Sequence, residues 1–309
     1  MSEPSTSRDP EVHPPAQDSP WHSRFACPGC DLAPSADWRC EACGDSFFEN
    51  GVVRLETPDR LVELEAFARD YGGPGEREAT LELTPDDIRA LPERVPGHTG
   101  HSRLYWATRR ESFRKLGELL GNLPQSTESN LAVDVGSGYG WLTHRLVQMG
   151  WRVTALDASR DKHLGVGAIE GLGLGDAALP VQGDLEWPRF QPTCLDLVIF
   201  NASLHYSADV GATISRWREK LRTGGQMIMM DTPIVSEERA AAADAVRPVT
   251  RAEITRAMEA EGLDVQWHPV PRGMRWRFHR LRNWAGRAPG FELPIAVGLL
   301  PATRDDSTQ

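Results

Sequence analysis

The 309-residue chain has no apolar run long enough to cross a bilayer, and it does not open on a basic stretch followed by a hydrophobic one. It therefore reads as a cytoplasmic protein with no membrane partner. Net positive charge is also missing. Lys and Arg number 34 against 44 Asp and Glu, a formal charge of −10, which argues against an extended nucleic-acid footprint and leaves room only for a local basic patch. Cysteine is scarce, five residues in all, and without a secretory signal a disulfide framework is not expected. Residues 1–20 have almost no large apolar side chain and cannot offset the entropy of ordering, so a disordered tail is expected there. The one strand-linked glycine loop lacks the third glycine of a dinucleotide fingerprint. Counted from Gly136, the position that G-x-G-x-x-G requires is Trp141, which disfavours nicotinamide binding and hydride transfer.

What remains describes an ordinary globular chain, 40% hydrophobic and 25% charged, long enough for one main α/β domain with smaller additions. Four of the cysteines fall as Cys27-x-x-Cys30 and Cys40-x-x-Cys43. Two such knuckles suit a closed tetrahedral thiolate shell around zinc, and the metal then supplies folding energy that so short a segment cannot draw from a core. A four-cysteine shell leaves no open coordination position, so its role in chemistry is structural. Cys194 is expected in the core of the sheet.

The centre of the chain is residues 131–140. Leu131, Val133 and Val135 read as a buried strand, Gly136, Gly138 and Gly140 let the backbone turn close to a ligand, and Trp141 opens a helix. Such a loop is expected to present free amides at a helix N-terminus. A second strand over 151–156 ends at Asp157, placed to accept both ribose hydroxyls of a nucleotide-like cofactor or, alternatively, to cap the next helix. Residues 163–175 carry five glycines and allow only short or irregular helix. Strands follow at 178–182, 195–200 and 226–230, with an amphipathic helix at Val210, Ile214, Trp217 and Leu221 between the last two. Thr250 to Glu253 form a capping box, and Leu263–Val270 and Phe291–Leu300 read as two last strands.

The order of strands and helices implies a mainly parallel sheet with ligands at the C-terminal strand ends, where Gly136, Asp157, Asp184 and Asn201 all fall. Residues 57–100 alternate acidic helical pieces with Gly and Pro breakers, and Tyr71, His98 and His101 there are candidates for a pocket mouth. A helix over 102–120 carries Arg103, Arg109, Arg110, Arg114 and Lys115, read as a solvated face or, alternatively, as supplying one arginine to an anionic substrate. Residues 236–247 read as a mobile helix or lid, and Asp231 as a turn former or, alternatively, as a strand-end residue that approaches substrate. Between the last two strands, Arg272, Arg275, Arg277, Arg280, Arg282 and Arg287 interleave with Trp276, Phe278, His279 and Trp284, a pattern that suits phosphates and stacked bases, or a carboxylate on a small substrate.

The stretch D-V-G-S-G-Y-G, with Asp134 two residues before Gly136, resembles the first motif of class I S-adenosylmethionine-dependent methyltransferases. Further pieces recur in order over 126–302, and the string N-A-S-L-H-Y at 201–206 resembles the fourth-strand motif of small bacterial methyltransferases. The segment C-P-G-C…C-E-A-C-G-D-S-F-F-E-N-G-V-V-R-L resembles zinc ribbons found beside or fused to such enzymes. The resemblance implies an α/β, Rossmann-like seven-stranded sheet with helices on both faces plus a small N-terminal zinc ribbon. The implied division is a tail over 1–20, the ribbon over 21–56, a helical linker or cap over 57–125, the methyltransferase domain over 126–302 and a tail over 303–309.

By the same resemblance, S-adenosylmethionine is held by Asp134, Gly136, Ser137, Gly138, Asp157, Ala158, Asp184, Leu185 and Asn201, with Asp184 receiving the adenine amino group. Asn201, His205 and Tyr206 face the acceptor, where His205 either takes a proton or serves a structural role. Cys27, Cys30, Cys40 and Cys43 hold structural Zn2+. The expected activity is in-line methyl transfer to a small-molecule acceptor, with RNA as the alternative acceptor, a non-catalytic binding protein as the rival class, and a protein partner for the ribbon.

Overall fold

The computed structural model describes residues 21–70, 83–96, 103–121, 130–240, 248–271 and 291–301. The expected tails, Tyr71, His98, His101, the 272–287 arginine segment and residues 241–247 of the expected lid lie outside them. Twelve strands are found among the described residues: β1 (Phe48–Glu49), β2 (Val52–Arg54), β3 (Leu131–Val135), β4 (Arg152–Asp157), β5 (Ala178–Gln182), β6 (Leu195–Asn201), β7 (Leu221–Met230), β8 (Ile234–Val235), β9 (Val249–Thr250), β10 (Asp264–His268), β11 (Phe291–Glu292) and β12 (Ile295–Leu299). The helices are α1 (Pro58–Asp70), α2 (Pro85–Ala90), α3 (Arg103–Gly121), α4 (Trp141–Gln148), α5 (Val210–Arg218), α6 (Glu237–Ala240) and α7 (Arg251–Ala260).

The main sheet runs β1-β2-β5-β4-β3-β6-β7-β12-β10. Its β5-to-β10 portion is the expected seven-stranded sheet. Strands β5, β4, β3, β6 and β7 are mutually parallel, while β12 lies antiparallel between β7 and β10. The order reverses direction on the two sides of β3, and a cleft opens at such a switch point outside the strand ends. Phe291 does not continue into β12. Pro294, which has no N–H for the ladder, stands just before it, and Phe291–Glu292 pairs instead with β8 in a small second sheet, β11-β8-β9.

Both faces of the central strands are buried because both are covered. Every residue of β3 and β6 is buried, as expected of parallel strands between two helical layers. The period of two then sorts β3. Leu131, Val133 and Val135 share a core with Trp217 of α5, Ile254 and Met258 of α7, and Phe25, Trp38 and Phe47 of the cysteine segment. Ala132 faces the other core, with Trp106 and Leu116 of α3 and Trp141, Leu142 and Leu146 of α4. Asp134 points to this second side and accepts a hydrogen bond from Thr143 Oγ1 of α4 at 2.8 Å.

The cysteine segment is built into this frame. Strand β2 pairs in parallel with β5 through Val53–Val181 and Arg54–Gln182, which extends the sheet to nine strands. Phe25 forms a bridge with Phe190, and its ring packs at 4.7 Å from that of Phe190 and 5.5 Å from that of Trp38.

Candidate active site and metal centre

The glycine loop after β3 is shaped by what lies behind it. Gly136 adopts φ +73°, and a Cβ there would stand 2.4 Å from Ser203 Cβ, so only glycine suits the position. Ser203 itself donates to Val135 O at 2.5 Å, which locks the loop after β6 against the loop after β3. Four of the loop's amides have partners within the fold. Gly136 N and Ser137 N donate to Leu156 O, Gly140 N to Ser137 O, and Gly138 N to Asp157 Oδ2 at 2.8 Å. The loop is thus a side-chain-poor wall in which these four amides are used within the fold, and its glycines give close approach to a ligand.

Asp157 at the end of β4 ties two loops together, because its other oxygen accepts Ser159 N at 2.9 Å. No helix follows it directly, so it caps none. Each oxygen keeps a second acceptor position, and burial pushes its pKa up. Asp134 is fully buried, with its pKa pushed up to about 7 by burial and by the charge of Asp157. Its Oδ1 and the hydroxyl of Ser137 are buried polar atoms with no hydrogen-bond partner among the described residues. Ala158 lends its carbonyl to Gln182 Nε2 at 3.0 Å.

Asp184 is engaged more heavily than a free adenine receptor would be. Its Oδ2 accepts two N–H groups of Arg60, Nε at 2.7 Å and Nη2, while Oδ1 accepts Glu186 N at 2.8 Å. Leu185 is half-buried, and its carbonyl accepts Trp217 Nε1 at 2.7 Å. One acceptor position on Oδ1 remains.

At the end of β6 the structure brings together Asn201, His205, Tyr206 and a residue that the sequence reading had placed on a solvated face. Arg109 of α3 turns inward. Its guanidinium lies 5.7 Å from the Trp106 ring centre and 6.0 Å from that of Trp141, within cation–π reach, and Nη1 donates to Asn201 Oδ1 at 3.4 Å. Trp141, the residue that broke the dinucleotide spacing, is buried and packs edge-on against Trp106 and Phe113. The signal for Arg109 was its spacing, three residues after Trp106 and four before Phe113, which puts it on the apolar stripe of α3. The same helix supplies Ser112, whose hydroxyl donates to Asp231 Oδ1 at 2.5 Å beside the end of β7.

Burial and then the positive charge of Arg109 lower the pKa of His205 to about 4. The imidazole is therefore neutral at physiological pH, and its Nδ1 is buried without a partner among the described residues. Its ring lies 4.1 Å from that of Tyr206. Tyr206 is 41% exposed and meets Phe67 of α1 edge-on at 6.1 Å. Helix α1 thus spans from Arg60 on Asp184 to Phe67 on Tyr206.

Residues 133–229 match the family model described as a methyltransferase domain. The match takes in about a third of the chain. The matched domain marks the chain as a transferase, and S-adenosylmethionine is the cofactor that its sequence motifs imply. A geranyl diphosphate C-methyltransferase from Streptomyces coelicolor A3(2), solved with Mg2+, geranyl-S-thiolodiphosphate and S-adenosyl-L-homocysteine, is 16% identical. The likeness covers 79% of this chain and 98% of that one, with a TM-score of 0.54. A geranyl diphosphate methyltransferase in complex with GPP and sinefungin is also 16% identical over 76% of this chain and 99% of that one, with a TM-score of 0.52. These likenesses show a shared fold. No curated relative matches the chain.

The residues present fit the cofactor. An unpartnered buried carboxylate oxygen on Asp134 suits a cationic ligand group, the open acceptor positions of Asp157 suit hydroxyls, and the bare backbone at Gly136 admits close approach.

The four cysteines converge as well. Their sulfurs all lie within 4.8 Å of one another, with Cys27–Cys43 and Cys30–Cys40 at 3.4 Å. An all-thiolate tetrahedral set of this size suits zinc, for which sulfurs at about 2.3 Å from the metal lie a little under 4 Å apart. The knuckles are held by Asp31 N to Cys27 O and Gly44 N to Cys40 O, and Gly44 takes φ +79° as the second turn requires. The cysteine set can hold a zinc ion. Cys194 is buried, with its thiol pKa raised to about 11 by burial, and takes no part in the cluster.

Proposed function

We infer that the protein transfers a methyl group from S-adenosylmethionine to a small-molecule acceptor, and that Asp134, Gly136, Ser137, Gly138, Asp157, Ala158, Asp184, Leu185 and Asn201 form the cofactor cleft. The observation that carries this reading is the convergence at the ends of β3, β4 and β6 of an unpartnered buried Asp134 oxygen, the bridging Asp157 and the Arg109–Asn201–His205 group. The cofactor supplies a methyl group already activated on a sulfonium, so little covalent help is needed from the protein.

What this chain's residues supply is alignment and exclusion of water. Asp134 offers negative charge in a dry setting to a cationic group. Asp157 offers two acceptor positions while holding Gly138 and Ser159 in place. Neutral His205 and Asn201, fixed by Arg109, face the acceptor, and Tyr206 with Phe67 provides an apolar rim. A His205 that must charge beside Arg109 is a poor proton acceptor, so we assign it to orienting the acceptor. A small acceptor is supported by the acidic chain. No observation among the described residues favours RNA, because the arginine segment on which that alternative rests lies outside them. The four cysteines are assigned to a structural zinc ion.

The deciding experiment is calorimetric titration with S-adenosylmethionine and with Asp157→Ala. Wild type should bind, and the variant should bind about tenfold or more weakly while its melting transition stays cooperative. Equal affinity would remove Asp157 from the site, and binding of NAD in place of S-adenosylmethionine would overturn the reading.

A further inference from the structure

The segment between the cysteine cluster and the end of α1 makes a set of contacts that the methyl-transfer reading does not require. Several of them reach the loops at Asp157 and Asp184. Arg54 Nε donates to Gln182 Oε1 at 3.0 Å, and Gln182 in turn donates to Ala158 O. Glu56, buried with its side chain fully covered, accepts Asp184 N at 3.2 Å and the Arg189 guanidinium at 3.3 Å. Arg60 closes on Asp184. Glu49 and Glu65 flank Arg54 on one side and meet Arg160, three residues beyond Asp157, on the other, the latter at 3.1 and 3.6 Å.

Two loops, 157–160 and 182–187, are thus tethered to residues 49–65. That stretch begins in the hairpin β1-β2, which the cluster anchors directly: Cys40 N bonds Asp45 O, Phe47 N bonds Trp38 O, and Arg54 N bonds Phe47 O. Cys27, Cys40, Trp38, Phe47 and Leu55 share one buried core with Leu156 and Val181 beneath the same two loops.

We propose that the four-cysteine segment is a positioning element for the adenosine end of the cofactor cleft: when its thiolates are held together, residues 49–65 hold the loops at Asp157 and Asp184 in their binding shape. The inference rests on the cofactor reading above. Its energetic form is a coupling between two sites, metal and cofactor, and it is reciprocal. Arg54, Glu56 and Arg60 are positioning residues, since they act through Gln182 and Asp184.

The test uses the full zinc-loaded chain before and after removal of the metal by a chelator, with two readouts. In amide hydrogen exchange without ligand, removal should raise exchange at 157–160 and 182–187 while β3 and β6 stay protected. In calorimetry with S-adenosylhomocysteine, affinity should fall by about tenfold, within the usual range for site-to-site coupling. Arg54→Met in the zinc-loaded protein should reproduce part of both changes, and Arg54→Lys should restore part of what is lost.

Unchanged exchange at the two loops overturns the proposal. So does a rise that is equal over β3 and β6, which marks a merely structural clip, and so does an affinity that ignores the metal. Metal-dependent exchange in a protein that does not bind S-adenosylhomocysteine supports the tether and overturns the cofactor reading, so the two failures are told apart.

Discussion

At the scale of single residues, the site is defined by groups held in protonation states that the ligand would change. Asp134 has a folded-state pKa of about 7 against an ordinary 3.8. The folded chain therefore keeps a proton that the unfolded chain releases. Stability is full below pH 3.8 and declines as pH rises to about 7. Asp134→Asn is neutral at every pH and escapes this loss, so its melting temperature should exceed that of wild type at pH 8 and match it near pH 4. The same variant should bind S-adenosylmethionine more weakly, by about tenfold or more. Thermal melts at the two pH values, with a titration at pH 8, check both.

His205 behaves in the opposite sense. Its folded-state pKa of about 4 lies below the ordinary 6.5, so its contribution is present above pH 6.5 and is lost as pH falls towards 4. Turnover, once an acceptor is known, should show no inflection near pH 6.5, and His205→Ala should lower kcat by about tenfold without altering the shape of the pH profile. An inflection that disappears in the variant would make His205 the proton acceptor after all. Trp141, Asn201, His205 and Tyr206 were all legible as residues of interest. Arg109 was not. Interspersed arginines on an amphipathic helix usually face water, and the aromatic stripe that turned this one inward could be weighed only once Trp141 was seen against it.

At the scale of elements, strand and helix identities followed the pattern of apolar residues, and errors arose at their ends. The strand before Asp231 starts at Leu221 and runs through Gly224 and Gly225, ahead of the expected start at Gln226. In the last hairpin, Pro294 divides a run that hydropathy alone would keep whole. The glycine loop shows how a motif leaves part of its physical role unread. Its spacing marked a close approach, but which amides are free depends on carbonyls contributed by β4, which local sequence cannot reveal. Gly136→Ala sets this role in numbers. The left-handed backbone and the contact with Ser203 together should cost about 2–4 kcal/mol, read by denaturant unfolding, and a second change, Ser203→Gly, should recover the share due to contact.

At the scale of the whole molecule, the cysteine cluster, the sheet and the loops at its strand ends are continuous. The sequence reading marked residues 21–56 as a separate ribbon because two cysteine knuckles are a strong local signal, whereas the pairing of Val53 with Val181 spans 128 positions and leaves no local trace. Chelation should lower the melting temperature by about 10 °C or more and broaden the transition, measured by calorimetry with and without added zinc.

Strand β2 also has a consequence for how the chain can be handled. It is the neighbour that occupies the outer edge of β5, whose N–H and C=O groups would otherwise face outward as a template for another strand. A fragment trimmed to the stretch that matches the methyltransferase domain would expose that edge together with the apolar surface under Phe25 and Trp38. It should then self-associate and precipitate on expression, while the longer chain remains in solution.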